Sequence, residues 1–240
     1  MNVLTRLWDQ VYASQPAPPA WVVGVTALAA LLLVLNTASW RLAGKVITIA
    51  HEGGHALVSV LSGRRLEGIR LHTDSSGVTY SRGKRRGPGM VLTAAAGYVT
   101  PPLLGAGAAA LLAARHPAAL LWLALVLLAA TFLAVRNAFG ALAVLVTAAG
   151  VFAVSYYASA AVQGGFAYLA AWFLLLGGMR PALELTRHRR GSRSRSSSRS
   201  GLSDADQLAR LTGVSRGVWV TAFVLIATAA LALGARLLIP

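Results

Sequence analysis

The sequence predicts an all-α, polytopic membrane protein of about seven transmembrane helices, with a short β-hairpin in the loop after the second. Three observations predict it. Apolar residues make up 56% of the chain and charged residues only 12%, about half the charged share usual in a soluble globular protein. Several apolar runs reach the ~20 residues that a helix needs to cross a hydrocarbon core, and mean hydropathy is +0.64. Finally, 22 Lys and Arg stand against 7 Asp and Glu, for a net charge of +15, and the positive residues cluster between the apolar runs. That distribution points to positive-inside loops facing anionic headgroups, and no nucleic-acid partner is expected. The absence of cysteine excludes disulfides and thiolate metal sites.

Residues 1–19 read as a cytoplasmic lead-in ending in the extended Gln15-Pro16-Ala17-Pro18-Pro19. Ala20 to Leu35 is the first span, expected to stay uncleaved because the region before it is long and only weakly basic. Leu42 to Leu61 is the second. Ser62 to Gly89 is hydrophilic, and its runs Leu66–His72 and Val78–Ser81 flank Asp74-Ser75-Ser76-Gly77, a hairpin signal. Such a hairpin beside a membrane site can offer an edge strand to an extended peptide. Met90 to Ala114 is the third span, where Pro101-Pro102 is expected to kink or break the helix.

Ala118 to Val135 and Ala138 to Ala158 are the fourth and fifth spans, joined by Arg136-Asn137, and Phe166 to Leu183 is the sixth. Spans one to six thus occupy 20–184. A basic Ser/Arg-rich linker follows over 185–201, with too few apolar groups to fold. Residues 202–240 then supply a short cytoplasmic helix, opened by Ser203 with Asp206 or Gln207, and a seventh span from Gly217 to Leu238. Placing the basic loops at 62–89, 136 and 185–216 on the cytoplasmic side puts the N-terminus inside and the C-terminus outside.

The second span carries His51-Glu52-Gly53-Gly54-His55, an H-E-x-x-H pattern. Two His four residues apart on a helix share a face and reach one zinc ion, while the Glu between them serves as general base toward water. Ionisable groups at bilayer depth are costly and point to function. Gly53 and Gly54 cost roughly 1 kcal/mol each in helix propensity, and their missing side chains let another helix or a substrate backbone come close, so Gly54 is a candidate substrate contact.

A catalytic zinc takes three protein ligands and keeps one open position. With so few ionisable residues, the candidates for the third ligand are few. Asp9 and His116 lie near the terminus or on the opposite side, and Glu67, His72 and Asp74 suit surface roles on the hairpin. Glu184 ends a span on the cytoplasmic side and is the first choice, against an ion pair with Arg180 or Arg187. Asp204 and Asp206 are the alternatives, against helix capping. Asn137 is placed to orient substrate or ligate through its amide, against capping the fifth helix.

The H-E-G-G-H stretch in a membrane helix, the hairpin after it, and Gly97-Tyr98-Val99-Thr100-Pro101-Pro102 resemble the site-2 protease family of intramembrane zinc metallopeptidases. Ser203-Asp204-Ala205 near the last helix is similar to a segment of its small bacterial metalloprotease-like branch. The resemblance implies zinc, hydrolysis of membrane protein substrates in or beside the bilayer of a bacterial cell, His51 and His55 as ligands, and Glu52 as base. Better-known members place the third ligand in an Asn-Pro-Asp-Gly or Leu-Asp-Gly motif that this chain lacks, so Glu184, Asp204 or Asp206 must substitute. A scaffold of the same fold that binds partner helices without cutting them, or a metal or solute transporter, would account for part of the same pattern.

Overall fold

The computed structural model describes residues 13–191 and 203–239, with side chains left aside for 187–191. The Ser/Arg-rich run that follows Gly191 and the first part of the lead-in lie outside the described residues. Among the described residues, eight helices and one hairpin follow in order: α1 (Ala20–Leu35), α2 (Thr37–Leu61), β1 (Arg65–Leu71), β2 (Gly77–Arg82), α3 (Pro88–Ala113), α4 (Pro117–Ala134), α5 (Ala138–Tyr157), α6 (Ala160–Gly191), α7 (Asp204–Thr212) and α8 (Arg216–Leu238).

The count of seven spans is corrected here. Among the described residues, five helices (α3, α4, α5, α6 and α8) are each long and apolar enough to cross a membrane, and α1 with α2 adds at most one more as a pair bent by 101°. The bend sits at Asn36. Its backbone N–H closes α1 on Leu32, while its side-chain oxygen accepts from the N–H groups of Ala38 and Ser39 to open α2. One residue thus caps two helices, so the two apolar runs meet at a corner with no loop between them.

The Gln15 N–H donates to the Arg115 carbonyl at 2.9 Å, which puts the described lead-in at the α3–α4 loop, whereas the hairpin precedes the other end of α3.

Pro101 and Pro102 do not break α3, which runs through both. They are buried, and Gly178 of α6 lies so close that a Cβ there would meet the Pro102 ring at 2.8 Å. Packing between neighbouring helices holds the segment helical where an isolated one would kink. The same device recurs deeper in the bundle, where Leu175 fills the space left by Gly105 on α3 and Gly234 on α8. α3 is the central helix, packed on α2, α6, α7 and α8, whereas α4 and α5 pack chiefly on each other.

The hairpin forms as its turn residues predict. β1 and β2 pair antiparallel, with a bulge between Leu66 and Gly68, and Asp74 accepts from the backbone and hydroxyl of Ser76 in the turn. The outer edge of β1 is not free. The Arg136 N–H donates to the Ile69 carbonyl at 2.8 Å, and Ile69 forms a parallel bridge with Val135. The turn is tied down onto α2 by Lys45 Nζ to the Thr73 carbonyl (3.0 Å) and by Thr48 Oγ1 to the Ser75 carbonyl (2.9 Å).

Candidate metal centre

His51 and His55 project from α2 toward α3, as their i,i+4 spacing requires. Their Nε2 atoms lie 3.2 Å apart, and Asp204 Oδ2 lies 3.1 Å from each. Three donor atoms thus form a nearly equilateral triangle. Tetrahedral zinc at about 2.0–2.1 Å from each ligand separates its donors by roughly 3.3–3.4 Å, so the triangle fits such an ion and leaves the fourth direction for another group. His55 is buried and its Nδ1 lies 2.6 Å from the Thr93 carbonyl. A carbonyl only accepts, so the Nδ1 carries a proton and the Nε2 is the nitrogen turned inward. Two imidazole nitrogens and a carboxylate oxygen converging on one point are the donor chemistry of a cation site.

The walls of this triangle come from α3. At Gly97 a Cβ would lie 2.4 Å from His55 Nε2 and 2.5 Å from His51 Nε2, so any side chain there displaces both imidazoles. Tyr98 meets the His51 ring edge-on at 4.8 Å and stacks on Phe223 of α8 at 5.0 Å.

Asp204 reaches the imidazoles because α7 is built to dock. Ser203 and Asp206 form a reciprocal capping box, Ala205 and Leu208 are fully buried against α3, α6 and α8 residues, and the Gly213 left-handed cap ends the helix. Asp206 Oδ1 also sits 3.1 Å from Arg216 Nε. Burial alone would raise the Asp204 carboxyl, but hydrogen bonds with His51 and His55 outweigh it and hold the group below the usual carboxylate range.

Two expectations are corrected by these positions. Glu184 is not at the triangle: it is nearly half exposed and pairs with Arg180 at 3.0 Å, one helical turn away. Asp206 is a cap, occupied by Ser203 and Arg216. Of the three carboxylates considered, the structure brings Asp204 to His51 and His55.

Asn137 makes no side-chain cap on α5 and is not free for substrate. Its amide clasps Leu71 of β1 at both ends, accepting from the backbone N–H at 3.1 Å and donating to the carbonyl at 2.7 Å. Gly54 is not a substrate contact either: it is buried against α3, where a Cβ would meet Thr100 Oγ1 at 2.2 Å. It serves the close approach of two helices.

Glu52 reaches β2 and is 4% exposed. Its Oε2 accepts from Thr79 Oγ1 at 2.7 Å. Sequence reasoning missed Gly97 and Thr79. Gly97 was visible only as part of a supposed helix break, and Thr79 only as a member of the run Val78–Ser81, with no sign of which strand face rests on α2.

A family model described as Peptidase M50B-like matches residues 24–234. Neither a search of curated proteins nor one of solved structures finds a match.

Proposed function

The chain belongs to the Peptidase M50B-like family, and from that premise we propose a zinc-dependent intramembrane endopeptidase in which His51, His55 and Asp204 hold the metal and Glu52 is the general base. At the family level it is a metallopeptidase, and its apolar helices make it an integral membrane protein. The observation that carries the finer reading is the donor triangle of 3.1–3.2 Å sides.

Zinc held there would supply Lewis acidity, polarising a peptide carbonyl and acidifying water toward a pKa of about 7. The chain's own residues do the rest. The Thr93 carbonyl fixes the His55 tautomer, and Gly97 keeps the space beside both imidazoles clear. Glu52 takes the proton of the attacking water and passes it to the departing amine. The substrate must be extended, because a scissile carbonyl inside a helix is already hydrogen-bonded. Among the described residues β2 pairs only with β1, which supports its outer edge as the place where an extended membrane protein segment lies. Pro101-Pro102 lies inside the continuous α3 and offers no extended segment for this.

The basic hairpin end is assigned to the cytoplasmic leaflet and its anionic headgroups, by the excess of Arg and Lys there. The scaffold reading rests on the missing Asp motif and on the Gly53-Gly54 pair, whereas Asp204 beside His51 and His55 supports the peptidase reading. The test uses full-length protein in proteoliposomes with a panel of labelled single-span peptides. Wild type is expected to hold about one zinc per chain and to cleave at least one peptide, and Glu52→Gln to keep the zinc and lose cleavage. Undiminished cleavage by that variant would falsify the mechanism.

A further inference from the structure

We propose that Thr79 is a positioning residue for Glu52, so that β2 completes the catalytic centre from outside the helix that carries the motif. The inference rests on the peptidase reading above. A glutamate has three rotatable side-chain torsions, and nothing in the spacing of His51-Glu52-Gly53-Gly54-His55 fixes them. Glu52 is nevertheless 4% exposed, and a buried carboxylate without a donor is costly. Among the described residues, the one hydrogen bond given to that carboxylate comes from the Thr79 hydroxyl, at 2.7 Å. The same oxygen lies 3.1 Å from the Glu52 backbone carbonyl, so the strand sits directly against this turn of α2.

Gly77 makes that approach possible. It lies two residues before Thr79 and so faces α2 as well. A Cβ at Gly77 would lie 2.6–2.8 Å from Glu52 Cγ, Oε1 and Cδ. The strand therefore offers a bare slot for one side of the carboxylate and a hydroxyl donor for the other. Its own position is over-determined by the Lys45 and Thr48 contacts to the turn and by the Asn137 clasp on β1. A chain of contacts thus runs from the α4–α5 junction through both strands to Glu52. The hydroxyl orients one carboxylate oxygen and leaves the other to take a proton.

The test has two arms. In the first, Thr79→Val, which keeps the shape and deletes the donor, is expected to lower kcat about ten- to a hundredfold, the range for a hydrogen bond to a charged group. KM and zinc content should stay near wild type, and Thr79→Ser should recover activity to within about threefold. A merely structural role would not be rescued by serine with KM and zinc unmoved. A Thr79→Val enzyme that holds zinc and turns over within about twofold of wild type overturns the proposal. The second arm needs no turnover. The chain has no native cysteine, so the pair Glu52→Cys and Thr79→Cys should cross-link on mild oxidation in the membrane-embedded full chain, and failure to cross-link overturns the juxtaposition. A wild type that binds zinc and cleaves nothing, together with a Glu52→Cys, Thr79→Cys chain that cross-links, refutes the peptidase reading while leaving the contact standing.

Discussion

Helix α2 presents two different environments within one turn. On the side facing α3, the imidazoles of His51 and His55 lie among helices, walled by Gly97 and Tyr98 and completed by Asp204 from α7. On the side facing the hairpin, Glu52 meets a strand, with Thr79 as donor and Gly77 as clearance. The ligand side is built from rigid helix packing around α3. The base side is built from a two-stranded ribbon held by a few backbone and side-chain hydrogen bonds. On the proposed function, the difference teaches that holding the metal and aiming the base are separate tasks, supported by separate parts of the fold.

That separation can be broken or sharpened by substitution. The largest effect is expected for Asp204→Ala, which removes one of three donors. Zinc affinity, read by chelator competition, should fall by at least about a hundredfold, beyond the ten- to hundredfold typical of losing a supporting partner. Glu184→Ala should leave it unchanged, and a zinc loss there would restore Glu184 as a ligand.

A smaller effect is expected from Gly97→Ala, whose methyl group intrudes on both Nε2 atoms. Zinc should bind roughly ten- to a hundredfold more weakly while the helical content by circular dichroism persists. Normal affinity would mean that the α3 wall is looser than the structure shows. The smallest is Asn137→Ala, which frees β1 from the α4–α5 junction. Loss of this clasp should lower cleavage several-fold, as deleting about 1 kcal/mol of hydrogen bonding does, with zinc unchanged. Zinc loss in this variant would show that the two sides of α2 are coupled after all.

The parts of the molecule that could be read from sequence were those with local physics. The apolar runs announced α3, α4, α5, α6 and α8, and the Asp74–Gly77 turn announced the hairpin. The corner at Asn36 was hidden because no polar loop separates the two runs; a single capping side chain makes the turn. The straightness of α3 through two prolines was hidden because Gly178, on a different helix, supplies the packing.

In the site, His51, Glu52 and His55 were legible from their spacing on one helix. Asp204 stood only as one of three candidates, because nothing in spacing relates it to a residue 149 positions earlier. Its rivals carried readable signals against ligation: Glu184 lies four residues after Arg180, and Asp206 lies three after Ser203 in a capping pattern. Those partners occupy them, and Asp204 is the carboxylate left for the imidazoles. Thr79 was out of reach, since it required knowing which strand face rests on α2.

The 149-residue separation of His55 from Asp204 also has a consequence in time. A ribosome adding roughly 5–20 residues per second needs roughly 7–30 s to travel from one to the other. Throughout that interval the emerging protein has its two imidazoles and its glutamate but no third donor. On the proposed function, hydrolytic competence begins only when the segment bearing α7 has been made and has docked. A protein that cuts within the membrane would thereby be inert while it is itself being threaded into that membrane, beside other proteins still finding their folds.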